Sequence, residues 1–163
     1  MDSKAHYQHS SLRERIVEHV FVGDALRELW KLGIRDVEIL RSEFDAYGYD
    51  IVMSYGAVVR HVQFKASTSK KPGTISIARS LFEKPSGCVI CIGISAELVL
   101  GPFYWLGAPP GEPLPRAADL KTAKGRRNKE GVRIDRKNHV YIPSKFFVRI
   151  DSLREVLRRL FDL

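Results

Sequence analysis

Between residues 50 and 66 apolar and polar side chains alternate as two strands would require, DIVMSY and VVRHVQFKA, separated by Gly56-Ala57. Strand side chains point to opposite faces in turn, and a glycine opening a two-residue loop suits a type II′ hairpin. The spacing predicts strands over residues 50–55 and 58–66, with Asp50 directly across from Gln63. Ile51, Met53, Val62 and Phe64 then make a core face, while Asp50, His61, Gln63 and Lys65 share the other. Upstream, Leu12, Ile16, Val20, Gly23 and Trp30 fall in one stripe about 80° wide at 100° per residue. They predict a helix from Ser11 to about Lys31, ending before Gly33, with Gly23 allowing a close approach to a sheet. Ser11 and Glu14 match a capping box at its start.

The rest of the chain continues the same alternation of elements. Residues 34–41, IRDVEILR, read as a half-buried strand. ISIARSLFEKP reads as an extended start and a short helix around residues 79–83, followed by a central strand over 88–94. LVLGPFYWLGA adds a strand, APPGEPLP a surface loop, and HVYIPSKFFVRI a last extended segment. Ser152 and Glu155 form a second capping box, opening a helix that buries Leu153, Val156, Leu157, Leu160 and Phe161. The expected fold is α/β, a mixed central sheet flanked by helices. Residues 1–10 are expected to form a flexible arm and 11–163 a single domain with its core at about 11–94.

Composition narrows the class. With 163 residues, 44% hydrophobic and 28% charged, the chain is that of an ordinary globule of one domain. It has no apolar run of membrane-spanning length, and its first residues lack the apolar region of a signal peptide, so a cytoplasmic protein is expected. Cys88 and Cys91 form a CxxC inside an apolar strand, where residues three apart point to opposite faces and cannot share a metal. They are expected to be reduced and buried. The net charge of +8 points to an anionic partner, nucleic acid first.

Asp50, twelve intervening residues and then Gln63-Phe64-Lys65 resembles the PD-(D/E)xK nuclease signature of restriction endonucleases and archaeal Holliday junction resolvases. The resemblance covers roughly residues 11–94 and departs from the family at Gln63, where a second acid is usual. It implies a restriction endonuclease-like fold and a Mg²⁺- or Mn²⁺-dependent endonuclease acting on DNA, with RNA not excluded and a homodimer left open. Asp50 would anchor the metal beside the Gln63 side-chain oxygen and the Phe64 backbone carbonyl. An acid on the preceding helix completes the family's site, and Glu18 matches it better than Glu14, which is assigned to the cap. Lys65 would orient the attacking water or stabilise developing charge. Glu43 and Asp45 are further acids near the site, and His61 is either a substrate contact or a packed strand histidine.

Basic residues supply the expected nucleic-acid contacts. Lys70 and Lys71 sit in a polar loop after the hairpin, placed to hold a phosphate near Lys65. Lys121, Lys124, Arg126, Arg127, Lys129, Arg133, Arg136 and Lys137 crowd residues 121–137, opposed only by Glu130 and Asp135. A phosphate-tracking arm and a solvated loop are the two readings of that segment. Two further readings of the whole stay open beside the nuclease: a non-catalytic nucleic-acid-binding module, and a structural hairpin in which Asp50 pairs with Lys65.

Overall fold

The computed structural model describes residues 9–43, 47–69, 71–115, 120–127 and 133–163. Helix α1 (Ser10–Lys31) leads into β1 (Glu38–Arg41), β2 (Ile51–Tyr55) and β3 (Val58–Ser67). Then come β4 (Ile75–Ala78), a 3₁₀ turn (Arg79–Glu83), β5 (Gly87–Ile94) and β6 (Leu100–Gly107). The chain closes with β7 (Thr122–Arg127), β8 (Arg133–Ile142), a 3₁₀ turn (Ser144–Phe146), β9 (Val148–Ile150) and α2 (Leu153–Phe161). Six strands form one sheet in the order β1-β2-β3-β5-β6-β9, and β4-β8-β7 form a second. All pairings of the large sheet are antiparallel except β3 with β5. The expected α/β class and mixed sheet are therefore present.

Three layers follow from which faces are apolar. Strand β5, GCVICIGI, is buried along its whole length, as a central strand covered on both faces must be. Cys88, Ile90 and Ile92 join the core under the two helices, with Val17, Phe21, Leu29, Leu157 and Leu160. Val89 and Cys91 join the other core, against Ile75, Ile77, Val140 and Ile142 of the small sheet. Both cysteines are free and buried, one on each face.

The hairpin keeps the predicted turn: Ile51 faces Val62 and Tyr55 faces Val58. Gly56 takes a positive φ of 56°, the conformation that favours glycine there. Helix α2 also starts as expected, with the Ser152 side chain accepting from the Glu155 backbone N–H at 3.3 Å. The strand at 34–41 is shorter than expected, only β1, though Ile39 is half-buried between exposed Glu38 and Leu40.

Helix α1 departs from its expected face. Its buried residues are Val17, Glu18, Phe21, Ala25 and Leu29. Leu12 and Trp30 of the predicted stripe are 60% and 64% exposed. Two apolar stripes compete on this helix, and the sheet selects the one that packs Phe21 against Phe64, tilted by 58° at 4.8 Å between ring centroids. Gly23 is exposed, and a Cβ there would meet nothing within 4 Å, so it does not serve close approach. The helix begins one residue early, with His9 at the cap position and no side-chain cap; Ser11 and Glu14 make no capping box.

Candidate active site

Strand β3 outruns its antiparallel partner. The β2–β3 pairing stops at Ile51 opposite Val62, whereas on the other edge β3 stays paired with β5 as far as Ser67 opposite Gly93. From Gln63 onward the β2 edge of β3 is thus open, and the first half of α1 passes beside it. Between them is a cleft of about 500 Å³ lined by Ser11, Glu14, Arg15, Val17 and Glu18 of α1, Asp50, and residues 63–66 of β3. Glu18, Asp50, Gln63, Phe64 and Lys65, chosen from sequence, all border this one space.

Asp50 reaches it by an irregularity rather than by regular pairing. Its N–H donates to the Val62 carbonyl at 2.8 Å, the residue Ile51 already faces. Two residues of one strand thus meet one of the other, as in a β-bulge, and Asp50 does not stand directly across from Gln63. Its carboxylate turns into the open edge, where Oδ2 accepts the Phe64 N–H at 2.6 Å. A charge-assisted bond of this kind fixes the carboxylate firmly. The Phe64 carbonyl lies on the same strand edge as its N–H, as every strand residue's two main-chain groups do.

Gln63 is 6% exposed. Its Oε1 is fully buried and has no hydrogen-bond partner among the described residues. An orphaned buried amide oxygen costs roughly 1–3 kcal/mol, a cost that a ligand in the cleft would relieve. Lys65 is half-buried, and its side chain forms no hydrogen bond or ion pair among the described residues. The structural reading, an Asp50–Lys65 ion pair, is therefore not what the hairpin holds.

Glu18 is buried, not a solvated flank residue, and its charge is already met. Arg15 Nη1 lies 3.3 Å from Glu18 Oε2, and the Arg41 guanidinium abuts Oε1 without hydrogen-bond geometry. Arg41 in turn contacts His19 Nδ1 at 3.2 Å. Sequence reasoning missed both arginines. The available signal was the parity of β1, which puts Arg41 on the same side as Ile39 and so under α1. Glu14, freed from the cap, is exposed and also lines the cleft. Among the described residues no group of three or more His, Cys, Asp or Glu is placed to share a cation. A ligand set here would rest on Asp50 with the Gln63 amide and Phe64 main-chain oxygens.

The remaining candidates lie around this centre. His61 is a packed histidine: Nδ1 is 3.0 Å from the Pro85 carbonyl and the ring meets Tyr49 edge-on. Glu43 is exposed, while Asp45, Lys70 and Lys129 lie outside the described residues. Lys71, Lys121, Lys124 and Arg133 are exposed. The basic segment is neither loop nor loose arm over residues 122–127 and 133–142. It is the β7–β8 ribbon, in which Lys124 faces Asp135 and Arg127 faces Arg133. Strand β4 pairs β8 only from His139 to Ile142, so Arg133, Arg136 and Lys137 lie in the part of β8 that extends past β4. Arg126 and Arg127 belong to β7.

The buried Arg60 was also missed. It is 0% exposed on the core face of β3, and the ring of Trp105 lies beneath its guanidinium. Nε and Nη2 donate to the carbonyls of Leu160 and Arg159, each at 2.8 Å, and Nη1 to that of Ala108 at 2.9 Å. It closes the C-terminal end of α2, where a cation is favoured. Burial pulls its pKa down.

No protein-family model, curated protein or solved structure matches the chain. No helix among the described residues is long and apolar enough to cross a membrane.

Proposed function

We propose that the protein is a metal-dependent phosphodiesterase, an endonuclease acting on DNA, built on a variant of the restriction endonuclease-like core. The observation that carries this reading is the cleft at the open edge of β3, where Glu18 of α1, Asp50 just before β2, and Gln63 and Lys65 of β3 converge. Its donors fit a hard divalent cation such as Mg²⁺ or Mn²⁺: a carboxylate, the Gln63 Oε1 that has no partner among the described residues, and a main-chain oxygen. Such a cation, when bound, lowers the pKa of water and neutralises phosphate oxygens.

The chain's own residues would do the rest. Asp50, held by the Phe64 N–H, keeps a fixed negative charge at the strand edge. Gln63 contributes oxygen without charge. Lys65, whose side chain has no partner among the described residues, orients the attacking water and offsets charge growing on the phosphate. Arg15 and Arg41 hold Glu18 at the wall of the cleft, and their surplus charge favours a phosphate entering there. The β7–β8 ribbon presents Lys121, Lys124 and Arg133 for sequence-independent phosphate contacts.

One observation favours a second reading, a nucleic-acid-binding module without catalysis. Glu18 is already neutralised by two arginines, so attraction for a cation rests mainly on Asp50. A cleavage assay on linear, circular and branched DNA with Mg²⁺, Mn²⁺ or EDTA separates the two. Cleavage that requires metal supports the enzyme; DNA binding with no cleavage under any metal supports the module. Cleavage that survives EDTA overturns the metal-dependent mechanism.

A further inference from the structure

The segment that delivers Asp50 to the cleft is Tyr47-Gly48-Tyr49, and it is arranged for more than chain reversal. The two tyrosine rings lie 10° from parallel with centroids 6.4 Å apart. Tyr49 is half-buried against the core between the two sheets and meets the His61 ring edge-on at 4.9 Å. Tyr47 joins neither core and leaves 50% of its surface exposed. Lys84 places Nζ 3.8 Å from the Tyr47 ring centroid and 5.8 Å from that of Tyr49. Gly48 is buried between the tyrosines with φ of 72°, and a Cβ there would collide with Ala78 of β4. The segment is therefore pressed against β4, and the outward ring is fixed from below.

A large aromatic half in water, with an ammonium group over one of its faces, is poorly explained by burial. It matches what recognises an unpaired nucleobase. Every base offers a π-face, stacking on an aromatic ring is tolerant of sequence, and a neighbouring lysine takes the adjoining phosphate. Bases inside a duplex have no free face to offer. The position is also informative. Tyr49 precedes Asp50 directly, and His61, on which Tyr49 rests, shares its strand face with Gln63 and Lys65, about 7 and 13 Å further along.

We propose that Tyr47, backed by Tyr49 and Lys84, is a stacking platform for an unpaired nucleobase next to the scissile position. The preferred substrate would then carry a single-stranded or extruded nucleotide at the cleft. This rests on the phosphodiesterase reading and narrows its substrate class.

The test uses the full chain in EDTA, so that binding is measured without cleavage. The probes are a short single-stranded DNA carrying 2-aminopurine, its RNA equivalent, and the blunt duplex of the same sequence. Tyr47→Leu is expected to weaken single-strand binding roughly 5- to 150-fold, the range for removing one base stack, while duplex binding and the melting temperature hold. Tyr47→Trp is expected to restore binding, with 2-aminopurine quenched by wild type and the Trp variant but not by the Leu variant. Quenching with the DNA strand alone, the RNA strand alone or both supports the platform and names the source of the base. Equal binding of wild type and Tyr47→Leu, or an equal loss on single strand and duplex, overturns it. Those results leave the nuclease reading standing if wild type still cleaves with metal. A wild-type protein that binds none of the probes overturns both.

Discussion

Replacing Gln63 by Glu adds one negative charge beside Asp50 while keeping the length of the side chain almost unchanged. At about 4 Å a unit pair is worth about 4 kcal/mol at an effective dielectric near 20, and twice that for a divalent ion before desolvation. The expected outcome is a protein less stable than wild type in EDTA and stabilised more steeply by Mn²⁺ in thermal melting. No extra metal-dependent stabilisation would remove Gln63 from the ligand set. Asp50→Ala and Lys65→Ala are expected to lose cleavage while melting and binding DNA near the wild-type values; near-normal cleavage by either would show the site is elsewhere. Arg60 has a different kind of weight. Arg60→Met strands three carbonyls, one of them in a buried and two in part-buried hydrogen bonds, and a loss of about 3 kcal/mol is expected in urea unfolding at constant slope. The two cysteines set a pH limit. Burial raises Cys88 to about 12 and Cys91 to about 11 from an ordinary 9.0. Below pH 9 both states keep the protons and the full stability is present. Above it the unfolded chain loses them first, so stability falls as pH rises toward 11–12. Native thiols should resist alkylation at pH 8 and react once urea unfolds the chain.

At the scale of elements, α1 and the β7–β8 ribbon carry separable predictions. Arg41 ties β1 to α1 through Glu18. If Glu18 reaches the cation, Arg41→Ala frees one of its oxygens, and the Mn²⁺ concentration for half-maximal cleavage is expected to fall. An unchanged metal demand with a lower melting temperature would make the contact a structural tie alone. Converting Lys121, Lys124 and Arg133 to Ala is expected to flatten the salt dependence of duplex binding, by about 0.9 in log–log slope for each phosphate that is no longer neutralised. The phase of α1 was not legible in the chain. Leu12, Ile16, Val20 and Trp30 make one apolar stripe, and Val17, Phe21, Ala25 and Leu29 another. Only the partner surface, Phe64 and Phe103 against Phe21, decides between them. Hairpin β2–β3 was legible because its register is local, set by Gly56 and a two-residue turn. The ribbon was read as a loop or an arm because its outer half is solvated and so carries no buried period.

The molecule as a whole is three layers with two cores, and its cleft opens where an antiparallel pairing ends while a parallel one continues. Motif spacing was enough to gather Asp50, Gln63 and Lys65, since all three belong to one hairpin. It was not enough to foresee that Asp50 enters through a bulge, or that Arg15 and Arg41 wait on Glu18, because those contacts join elements whose relative placement no local pattern encodes. The same distinction between near and far has a consequence in time. Arg60 lies in the strand that carries Gln63 and Lys65, yet two of its three acceptors are the carbonyls of residues 159 and 160, with sequence separations of 99 and 100. At about 5–20 residues per second of synthesis, the hairpin emerges from the ribosome some 5–20 s before those acceptors exist. Through that interval the guanidinium lacks two of its three acceptors, the Ala108 carbonyl being the only one made earlier. The docking of β3 against the end of α2 is therefore completed only after synthesis has passed that helix.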